Sequence, residues 1–366
     1  MFNDIYRGKK ILITGHTGFK GAWLTTWMLK LGAHVVGVSK DIPTKPSIFE
    51  ELELAKKIKD YVIDIRSLES LQKIISEEKP DIVFHLAAQP IVAASYSDPI
   101  ETIGSNVIGT TNVLESLRIS NHKCTAIIIT SDKAYDNVEQ VWGYKETDQM
   151  GGKDIYSGSK GAAELIIKSY FHSFFKNKNS NVAIAIGRAG NVIGGGDWAQ
   201  DRIVADCMRS WSQKKTVEIR SPKATRPWQH VLEPLSGYLN LGQRLFENQK
   251  LHGEAFNFGP RAEQNHTVQQ LIADLSVYWE FKNGETAFVV TDHVPFHEAG
   301  LLKLNCDKAL AYLQWQATLA YEDTIRFTSE WYRNFYSQKS NMYEATLTQI
   351  KEYEGLASRG KLAWVK

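Results

Sequence analysis

Two pairs of neighbouring polar residues in this chain could do acid–base chemistry. Tyr156 and Lys160 are four residues apart, which puts both side chains on one face of a helix. A phenol has an ordinary pKa of about 10, and it becomes a usable base near neutral pH when positive charge favours the phenolate. Asp132 and Lys133 adjoin one another in the stretch TSDKAYD, directly after the apolar run at residues 126–129. That run predicts a buried parallel strand, so this second pair should stand at a ligand-binding edge of a sheet.

A glycine-rich turn near the start of the chain has the pattern of a phosphate-binding loop. Gly15, Gly18 and Gly21 follow the apolar run at residues 11–13 and open a helix-like segment. Glycines at these positions allow a tight turn, let the backbone approach a pyrophosphate and direct helix N-terminal N–H groups at its charge. This turn, with the Tyr–Lys pair, predicts a nicotinamide dinucleotide site. For Asp132 and Lys133 the residues alone leave a simpler interpretation open, a solvated ion pair in a surface turn.

The ends of the second and third predicted strands should meet the adenosine half of such a dinucleotide. Ser39 stands where an acidic residue usually holds the ribose, and Asp41 comes two positions later. Asp64 and Ile65 follow a further strand that comes before the apolar run at residues 82–86, and Asp64 has two interpretations of equal weight, an adenine contact or a turn cap. The residues therefore indicate dinucleotide binding and leave the choice between NAD and NADP open.

Apolar runs alternate with helix-like segments through the first half of the chain. Strands are predicted at residues 11–13, 34–38, 82–86, 126–130 and 182–186, and helices at 22–31, 68–76, 100–117 and 162–175. This alternation predicts an α/β fold, a Rossmann-like doubly wound parallel sheet with a smaller C-terminal substrate-binding lobe. The predicted domains are a dinucleotide-binding domain at 1–187 rejoined by 226–255, a lobe at 188–336, and an extension at 337–366 that packs on the lobe or on a partner.

Composition and charge exclude several classes of protein. The 366 residues include 43 Lys and Arg against 41 Asp and Glu, with no basic stripe, so a nucleic-acid partner is not expected. No apolar stretch approaches the roughly 20 residues of a membrane span. Cys124, Cys207 and Cys306 lie far apart and match no metal-ligand spacing. They predict no metal site and a reducing, cytoplasmic compartment.

Longer strings show a family resemblance. The glycine turn TGHTGFKG, the strand end HLAA, Asn106 in a helix, the Tyr–Lys pair, and Asn191 after Arg188 resemble the extended short-chain dehydrogenase/reductase family. Within it, the strings GHTGFKGAWL, HLAAQP, TSDKAYDN, GNVIGGGDWAQDR and RPWQHVLEPLSGYL resemble the nucleotide-sugar 4,6-dehydratases, and among these the branch that acts on CDP-glucose.

This resemblance implies a cofactor, a substrate and a reaction. The cofactor would be NAD and the substrate CDP-glucose, converted to a 4-keto-6-deoxy sugar by C4 oxidation, loss of water across C5–C6 and hydride return to C6. Asp132 would protonate the C6 oxygen. Lys133 replaces the glutamate base of the dTDP-glucose branch, and it is interpreted either as the C5 base or as a charge that stabilises the enolate.

The resemblance also implies the site residues. The catalytic set is Ser131, Asp132, Lys133, Tyr156 and Lys160. The cofactor-binding set is Gly15, Thr17, Gly18, Phe19, Gly21, Ser39, Asp64, Ile65, Leu86, Ala87, Ala88, Tyr156 and Lys160. The substrate-binding set is Gln89, Asn106, Asn191, Arg202 and Arg226, with Arg226 as the diphosphate clamp because guanidinium groups pair with phosphate oxygens bidentately.

Some residues and functions have competing interpretations. His85 is taken as structural, and Trp198 and Trp228 either wall the ligand or belong to the core. A nucleotide-sugar epimerase would need the Tyr–Lys pair and would have no use for Asp132. A non-catalytic binding module would keep the glycine turn and lose the Tyr–Lys pair. The family resemblance further implies a homodimer, paired through the helix at 100–117 and the helix near Tyr156.

Overall fold

A seven-stranded, all-parallel sheet lies at the centre of the computed structural model, which describes residues 1–219, 221–261, 263–281, 285–291, 301–338 and 341–366. The described residues form strands both in this sheet and in three two-stranded sheets. In chain order they are β1 (Lys10–Thr14), β2 (His34–Ser39), β3 (Lys59–Val62), β4 (Ile82–His85), β5 (Cys124–Ile129), β6 (Val182–Ala189), β7 (Val192–Ile193), β8 (Val217–Ile219), β9 (Thr225–Arg226), β10 (Gln229–His230), β11 (Ala255–Phe258), β12 (His266–Thr267) and β13 (Phe288–Val290). The order in the central sheet is β11-β6-β5-β4-β1-β2-β3.

Helices cover both faces of this sheet. The helices of the described residues, including those that lie away from the sheet, are α1 (Phe19–Lys30), α2 (Ile48–Glu51), α3 (Leu68–Glu78), α4 (Val92–Ser97), α5 (Pro99–Ile103), α6 (Gly109–Ser120), α7 (Ile155–Tyr170), α8 (Ile203–Ser212), α9 (Leu232–Glu247), α10 (Val268–Ser276), α11 (Tyr321–Ser337) and α12 (Met342–Arg359). The predicted Rossmann-like doubly wound sheet is confirmed. Among the described helices, none combines the length and apolar character that a bilayer crossing requires.

Two predicted helices differ in detail from those observed. The helix predicted at 162–175 begins earlier, at Ile155, because the Asp154 carboxylate caps it by accepting the Ser157 N–H at 2.8 Å. This start puts Tyr156 in the first helical turn. The helix predicted at 100–117 runs from α5 into α6 through a π-helical turn at Gly104–Ile108.

The second half of the chain returns to the central sheet. Helix α9 packs on β5 and β6, and β11 adds the edge strand beside β6. Residues 232–258 thus lie with the sheet, which overlaps the predicted return at 226–255. The domain boundaries as a whole stay a prediction, and residues 292–300 of the predicted lobe lie outside the described residues.

The C-terminal helix contacts both halves of the chain. Helix α12 lies against α1 as well as α11, so it covers the nucleotide-binding half of the molecule. The Glu354 carboxylate accepts the Trp27 indole N–H at 2.9 Å and pairs with the Lys30 ammonium at 2.6 Å. Trp23 and Trp27 are both fully buried on α1, so this helix needs an apolar cover on its outer side as well as the sheet beneath it.

Candidate active site

A cleft of about 1150 Å³ opens at the carboxyl ends of the parallel strands. Its floor is formed by the glycine turn after β1 and by the ends of β2, β4 and β5, and its far wall by β8 and the residues around Trp228. Ligands bind at this edge in open α/β sheets because the strand ends and the helix N-termini leave a crevice there. The cleft is large enough for a dinucleotide and a second ligand.

The glycine turn has no room for larger side chains. Gly15 has φ +74°, and a Cβ added there would lie 2.7 Å from the Ala87 backbone nitrogen. A Cβ at Gly21 would lie 2.1 Å from the Gly15 carbonyl oxygen. Beneath the turn, the buried His16 ring lies 3.0 Å from the Ser39 hydroxyl and 2.9 Å from Asp60. Ser39 therefore lines the cleft and also fixes the turn from below.

Four charged side chains cluster past the ends of β2 and β3. The Asp64 carboxylate accepts the Arg66 backbone N–H at 2.9 Å and two guanidinium N–H groups at 2.9 and 2.6 Å. The Glu101 carboxylate pairs with Arg66 and with Lys40, the latter at 2.7 Å, and accepts the Ser105 hydroxyl at 2.9 Å. Asp64, a predicted cofactor residue, thus reaches the cleft with its carboxylate already bound to Arg66.

The predicted acid lies at the end of β5 in a 3₁₀ turn at Asp132–Ala134. Ser131 begins this turn by accepting the Lys133 N–H at 3.2 Å, and its hydroxyl donates to Asp132 Oδ1 at 2.9 Å. The Asp132 carboxylate lies directly over Gly190, where a Cβ would come within 1.8 Å of Oδ2. The structure therefore brings Ser131, Asp132 and Lys133 together on the cleft wall.

Tyr156 and Lys160 face the same wall from α7, and both are buried. Burial raises the pKa of Tyr156 to about 12, against the opposing effect of its hydrogen bond with Ser131. Burial, followed by the neighbouring charge of Lys20, lowers the pKa of Lys160 to about 8. Its ammonium lies 5.9 Å from the centre of the Tyr156 ring. Among the chain's own groups, desolvation of the phenolate is the largest effect on the pKa of Tyr156.

Lys20 is a cleft residue that the sequence interpretation missed. Burial and the Arg202 charge lower its pKa to about 8, while Asp132 and Asp197 act in the opposite direction. A lysine in the first turn of a helix is unfavourable next to the positive end of the helix dipole. That mismatch at the second residue of α1 is the signal that could have identified Lys20 as a ligand-facing residue.

A buried polar network supports the wall from behind. Arg188 on β6 and Glu164 on α7 form a bidentate ion pair, with both N–O distances 2.7 Å and both side chains 4% exposed. The Thr130 hydroxyl donates to Glu164, and Arg188 also donates to the Tyr135 hydroxyl at 2.6 Å. The network joins the end of β5 to β6 and α7, and therefore fixes Ser131 relative to Tyr156.

The predicted substrate residues reach the cleft with one exception. Asn106, at 1% exposed, does not line it: its Oδ1 accepts the Gln89 N–H at 2.8 Å, and its Nδ2 donates to the Gln89 carbonyl at 3.2 Å and the Ser159 hydroxyl at 2.8 Å. Gln89 does line the cleft, and its side chain bonds Thr102 and the Ile91 N–H. Asn106 is thus a residue that positions its neighbours.

The other three substrate candidates lie on the lobe side. Arg202 pairs with Asp197 at 2.8 Å, and Asn191 follows β6 with φ +52°. Arg226, on β9, lines the far part of the cleft together with Trp228. All of the predicted cofactor-binding residues also line the cleft.

Two residues with open interpretations are buried away from the cleft. His85 lies between the Thr14 and Thr110 hydroxyls, at 2.7 and 3.0 Å from its ring nitrogens. Trp198 packs in an aromatic cluster with Trp331 and other rings of α11, so it belongs to the core. Within the described residues, no group of three or more His, Cys, Asp or Glu side chains is placed to hold a metal ion.

Comparison with known proteins places this geometry in a family. The family model described as GDP-mannose 4,6 dehydratase matches residues 12–328. The chain belongs to this family. Within the family it is 42% identical to the CDP-glucose 4,6-dehydratase of Salmonella typhimurium. The alignment spans 359 residues and covers 97% of this chain and 99% of that relative. A CDP-paratose 2-epimerase of Salmonella typhi is 24% identical over 88% of this chain and 98% of its own length.

Solved structures with the same fold include a dehydratase and an epimerase. The dTDP-glucose 4,6-dehydratase of Bacillus anthracis, in complex with NAD, aligns with a TM-score of 0.72 at 18% identity, over 89% of this chain and 97% of that one. A UDP-glucuronic acid 4-epimerase of Bacillus cereus aligns with a TM-score of 0.75 at 24% identity, over 89% and 99%. At these identities the likeness concerns the fold.

Proposed function

We propose that this protein is an NAD-dependent CDP-glucose 4,6-dehydratase, a hydro-lyase that forms CDP-4-keto-6-deoxy-D-glucose. The observation that carries the proposal is the position of Asp132. Asp132 is a buried acid that accepts a hydrogen bond from the Ser131 hydroxyl, on the cleft wall that Tyr156 also faces. The chain that carries this acid is 42% identical to a CDP-glucose 4,6-dehydratase. An epimerase has no step in which such an acid would act.

The glycine turn and the strand ends around it fit NAD. A side chain at Gly15 or Gly21 would collide with the backbone of Ala87 or of Gly15, so glycine at both positions keeps the turn tight. Residues at the N-terminus of α1 line the cleft beside this turn, where helix N–H groups suit a pyrophosphate. When bound, NAD would supply a hydride acceptor for C4 oxidation and a hydride donor for the later return to C6. Lys160, Leu86, Ala87 and Ala88 would hold its nicotinamide half, on the evidence of their place along the cleft.

Tyr156 is proposed to take the proton of the sugar's 4-hydroxyl. The chain's own groups hold its pKa at about 12, so the phenolate needs additional positive charge close by. An oxidised nicotinamide ring carries such a charge, and the ammonium of Lys160 adds to it from 5.9 Å. The base is therefore activated when the cofactor is bound in its oxidised form.

Asp132 and Lys133 are proposed to act in the elimination. The 4-ketone acidifies the C5 hydrogen, so the C5 proton can leave while protonated Asp132 donates to the C6 oxygen and water departs. Lys133, next to Asp132 on the cleft wall, would either accept the C5 proton or stabilise the enolate by its charge. As the base it would have to be neutral before each elimination.

The proton count over one turnover gives Ser131 a task. Tyr156 gains a proton from the 4-hydroxyl and Asp132 loses one to the departing water, while the C5 proton is removed and replaced. Returning the enzyme to its starting state therefore needs a net transfer from Tyr156 to Asp132. The Ser131 hydroxyl bonds with Tyr156 and donates to Asp132 Oδ1 at 2.9 Å, so it can pass this proton along.

The assembly is proposed to be at least a homodimer, in the cytoplasm. Helices α5, α6 and α7 pack side by side and present apolar side chains to the outside, among them Ile100 at 77% exposed and Leu165 at 57%. Exposed apolar patches of this kind commonly mark protein–protein contacts. Sedimentation at micromolar concentration checks the proposal, and a monomer alone would contradict it.

One incubation tests the proposed reaction. The purified protein with CDP-glucose and NAD should give a keto sugar, measured by its absorbance in alkali, and should give much less with UDP-glucose, dTDP-glucose or GDP-mannose. Tyr156→Phe should lose turnover and keep NAD binding, since the lost hydroxyl serves proton transfer. The absence of keto product from CDP-glucose at saturating NAD would overturn the proposal.

A further inference from the structure

The adenosine end of the cleft lacks the acid that usually selects NAD. That acid would stand at the end of β2, where this chain has Ser39, and Lys40 follows it. The Thr17 hydroxyl donates to the Asp41 carbonyl at 2.7 Å, so residues 39–41 lie against the glycine turn and on the cleft wall. A lysine at this point would by itself attract the 2′-phosphate of NADP.

We propose that Glu101 takes over the role of the missing acid and selects NAD against NADP. The inference rests on the proposed function, since it concerns the same cofactor site. Glu101 comes from α5, an element far from β2 in the sequence, and its side chain lines the cleft with 25% exposure.

The contacts of Glu101 hold the local cations in place. One carboxylate oxygen binds the Lys40 ammonium at 2.7 Å and the Ser105 hydroxyl at 2.9 Å, and the other binds the Arg66 guanidinium. Arg66 is held from its other side by Asp64 at 2.6 Å. Both cations near the β2 edge are therefore turned toward carboxylates, and the four formal charges sum to zero.

The helix geometry keeps the Glu101 carboxylate where it is. The Asp98 side chain caps α5 by accepting the Glu101 backbone N–H at 2.9 Å. The π-helical turn after α5 begins at Gly104, where a Cβ would lie 3.3 Å from Cδ of Arg66. The absence of a side chain at 104 gives Arg66 the room to reach Glu101.

The charges predict the discrimination. A phosphate monoester carries a charge of about −1.5 to −2 at pH 7. Bound at the β2 edge, a 2′-phosphate would face the Glu101 carboxylate and would have to displace it from Lys40 and Arg66. A 2′-hydroxyl brings no such charge and can donate a hydrogen bond to a carboxylate. Glu101 thus penalises the binding of NADP and imposes no such penalty on NAD.

The test compares Glu101→Gln with Glu115→Gln. Glu115 is a matched control because it also binds an arginine, Arg118, on the neighbouring α6, and it does not line the cleft. Dissociation constants for NAD and NADP are measured calorimetrically on each protein without sugar. Glu101→Gln should bind NADP roughly tenfold more tightly and NAD within about twofold, since it frees the Lys40 ammonium and one edge of the Arg66 guanidinium for charge-assisted contacts with the phosphate.

Lys40→Ala in the Glu101→Gln background should remove that gain, and Glu115→Gln should leave both constants unchanged. An unchanged NADP affinity in folded Glu101→Gln overturns the inference, and so does a loss of NAD affinity without a gain for NADP. If wild-type protein binds NAD but Glu101→Gln shows no gain in NADP affinity, this inference is wrong and the proposed function still stands. Wild-type protein that binds neither dinucleotide overturns the proposed function itself.

Discussion

The proposed proton relay through the Ser131 hydroxyl has a kinetic consequence. Ser131→Ala should still complete a first turnover, because the proposed relay is needed only after Asp132 has protonated the departing water, and should then turn over slowly while protons re-equilibrate through solvent. Rapid-quench measurement should show a burst of about one product per active site followed by a steady rate lower by roughly tenfold to a hundredfold. Ser131→Thr keeps the hydroxyl and should retain a larger share of the steady rate. A first turnover slowed as much as the later ones, with no burst, would contradict the relay.

Lys133 is tested by the exchange of one hydrogen. If it is the C5 base, Lys133→Met should oxidise C4 and fail to exchange the C5 hydrogen with heavy water, because no acceptor remains within reach. If it stabilises the enolate, exchange should be slow but measurable, and Lys133→Arg should keep part of the activity because its charge remains. Mass spectrometry of deuterium at C5 and C6 separates the two, and an active Lys133→Arg enzyme would rule out the base.

The ion pair of Glu164 and Arg188 joins helix α7 to strand β6 behind the cleft wall. Glu164→Gln keeps the shape and leaves a buried guanidinium without its counter-charge, so the free energy of unfolding should fall by about 3 to 5 kcal/mol. Urea denaturation measures this. Glu115→Gln breaks an exposed pair with Arg118 and should cost no more than about 1 kcal/mol. Equal losses in the two variants would contradict the structural role of the buried pair.

The central elements could be predicted from sequence because they are read from local patterns. Unbroken apolar runs such as that of β5 are typical of strands buried on both faces, and the glycine turn is fixed by spacing. The packing of α12 on α1 could not be predicted, since it depends on which surfaces meet after folding. The first-turn position of Lys20 is visible in the sequence, but its burial and the charges of Arg202 and Asp132 around it are not, because those residues are distant along the chain. Asn106 was assigned to the substrate from a motif that gives its position and leaves its partner, Gln89, unspecified.

Glu233 on α9 connects this helix to two distant parts of the chain, the segment before α11 and helix α12. Its buried carboxylate accepts the Thr318 N–H at 2.9 Å, the Leu319 N–H at 2.6 Å and the Tyr353 hydroxyl at 2.9 Å. Burial nevertheless raises its pKa from 4.5 to about 7. The folded protein therefore holds a proton that the unfolded chain releases above pH 4.5, and stability falls as the pH rises from 4.5 to 7.

Glu233→Gln should remove this contribution, since the amide stays neutral throughout. The free energy of unfolding of wild type relative to Glu233→Gln should decrease by roughly 2 to 4 kcal/mol between pH 4.5 and 7.5, measured by urea denaturation at matched ionic strength. A constant difference across this range would show that Glu233 stays ionised in the folded protein.

The position of β11 at the edge of the sheet has a consequence for biosynthesis. Its partner β6 ends at Ala189 and β11 begins at Ala255, so the ribosome adds more than 60 residues between them. At about 5 to 20 residues per second, the open edge of β6 waits for several seconds. A strand whose edge is unpaired exposes backbone N–H and C=O groups, and these can pair with a strand of another chain. This interval is when the nascent protein most needs a chaperone, and slowing translation between codons 190 and 255 should lower the soluble yield.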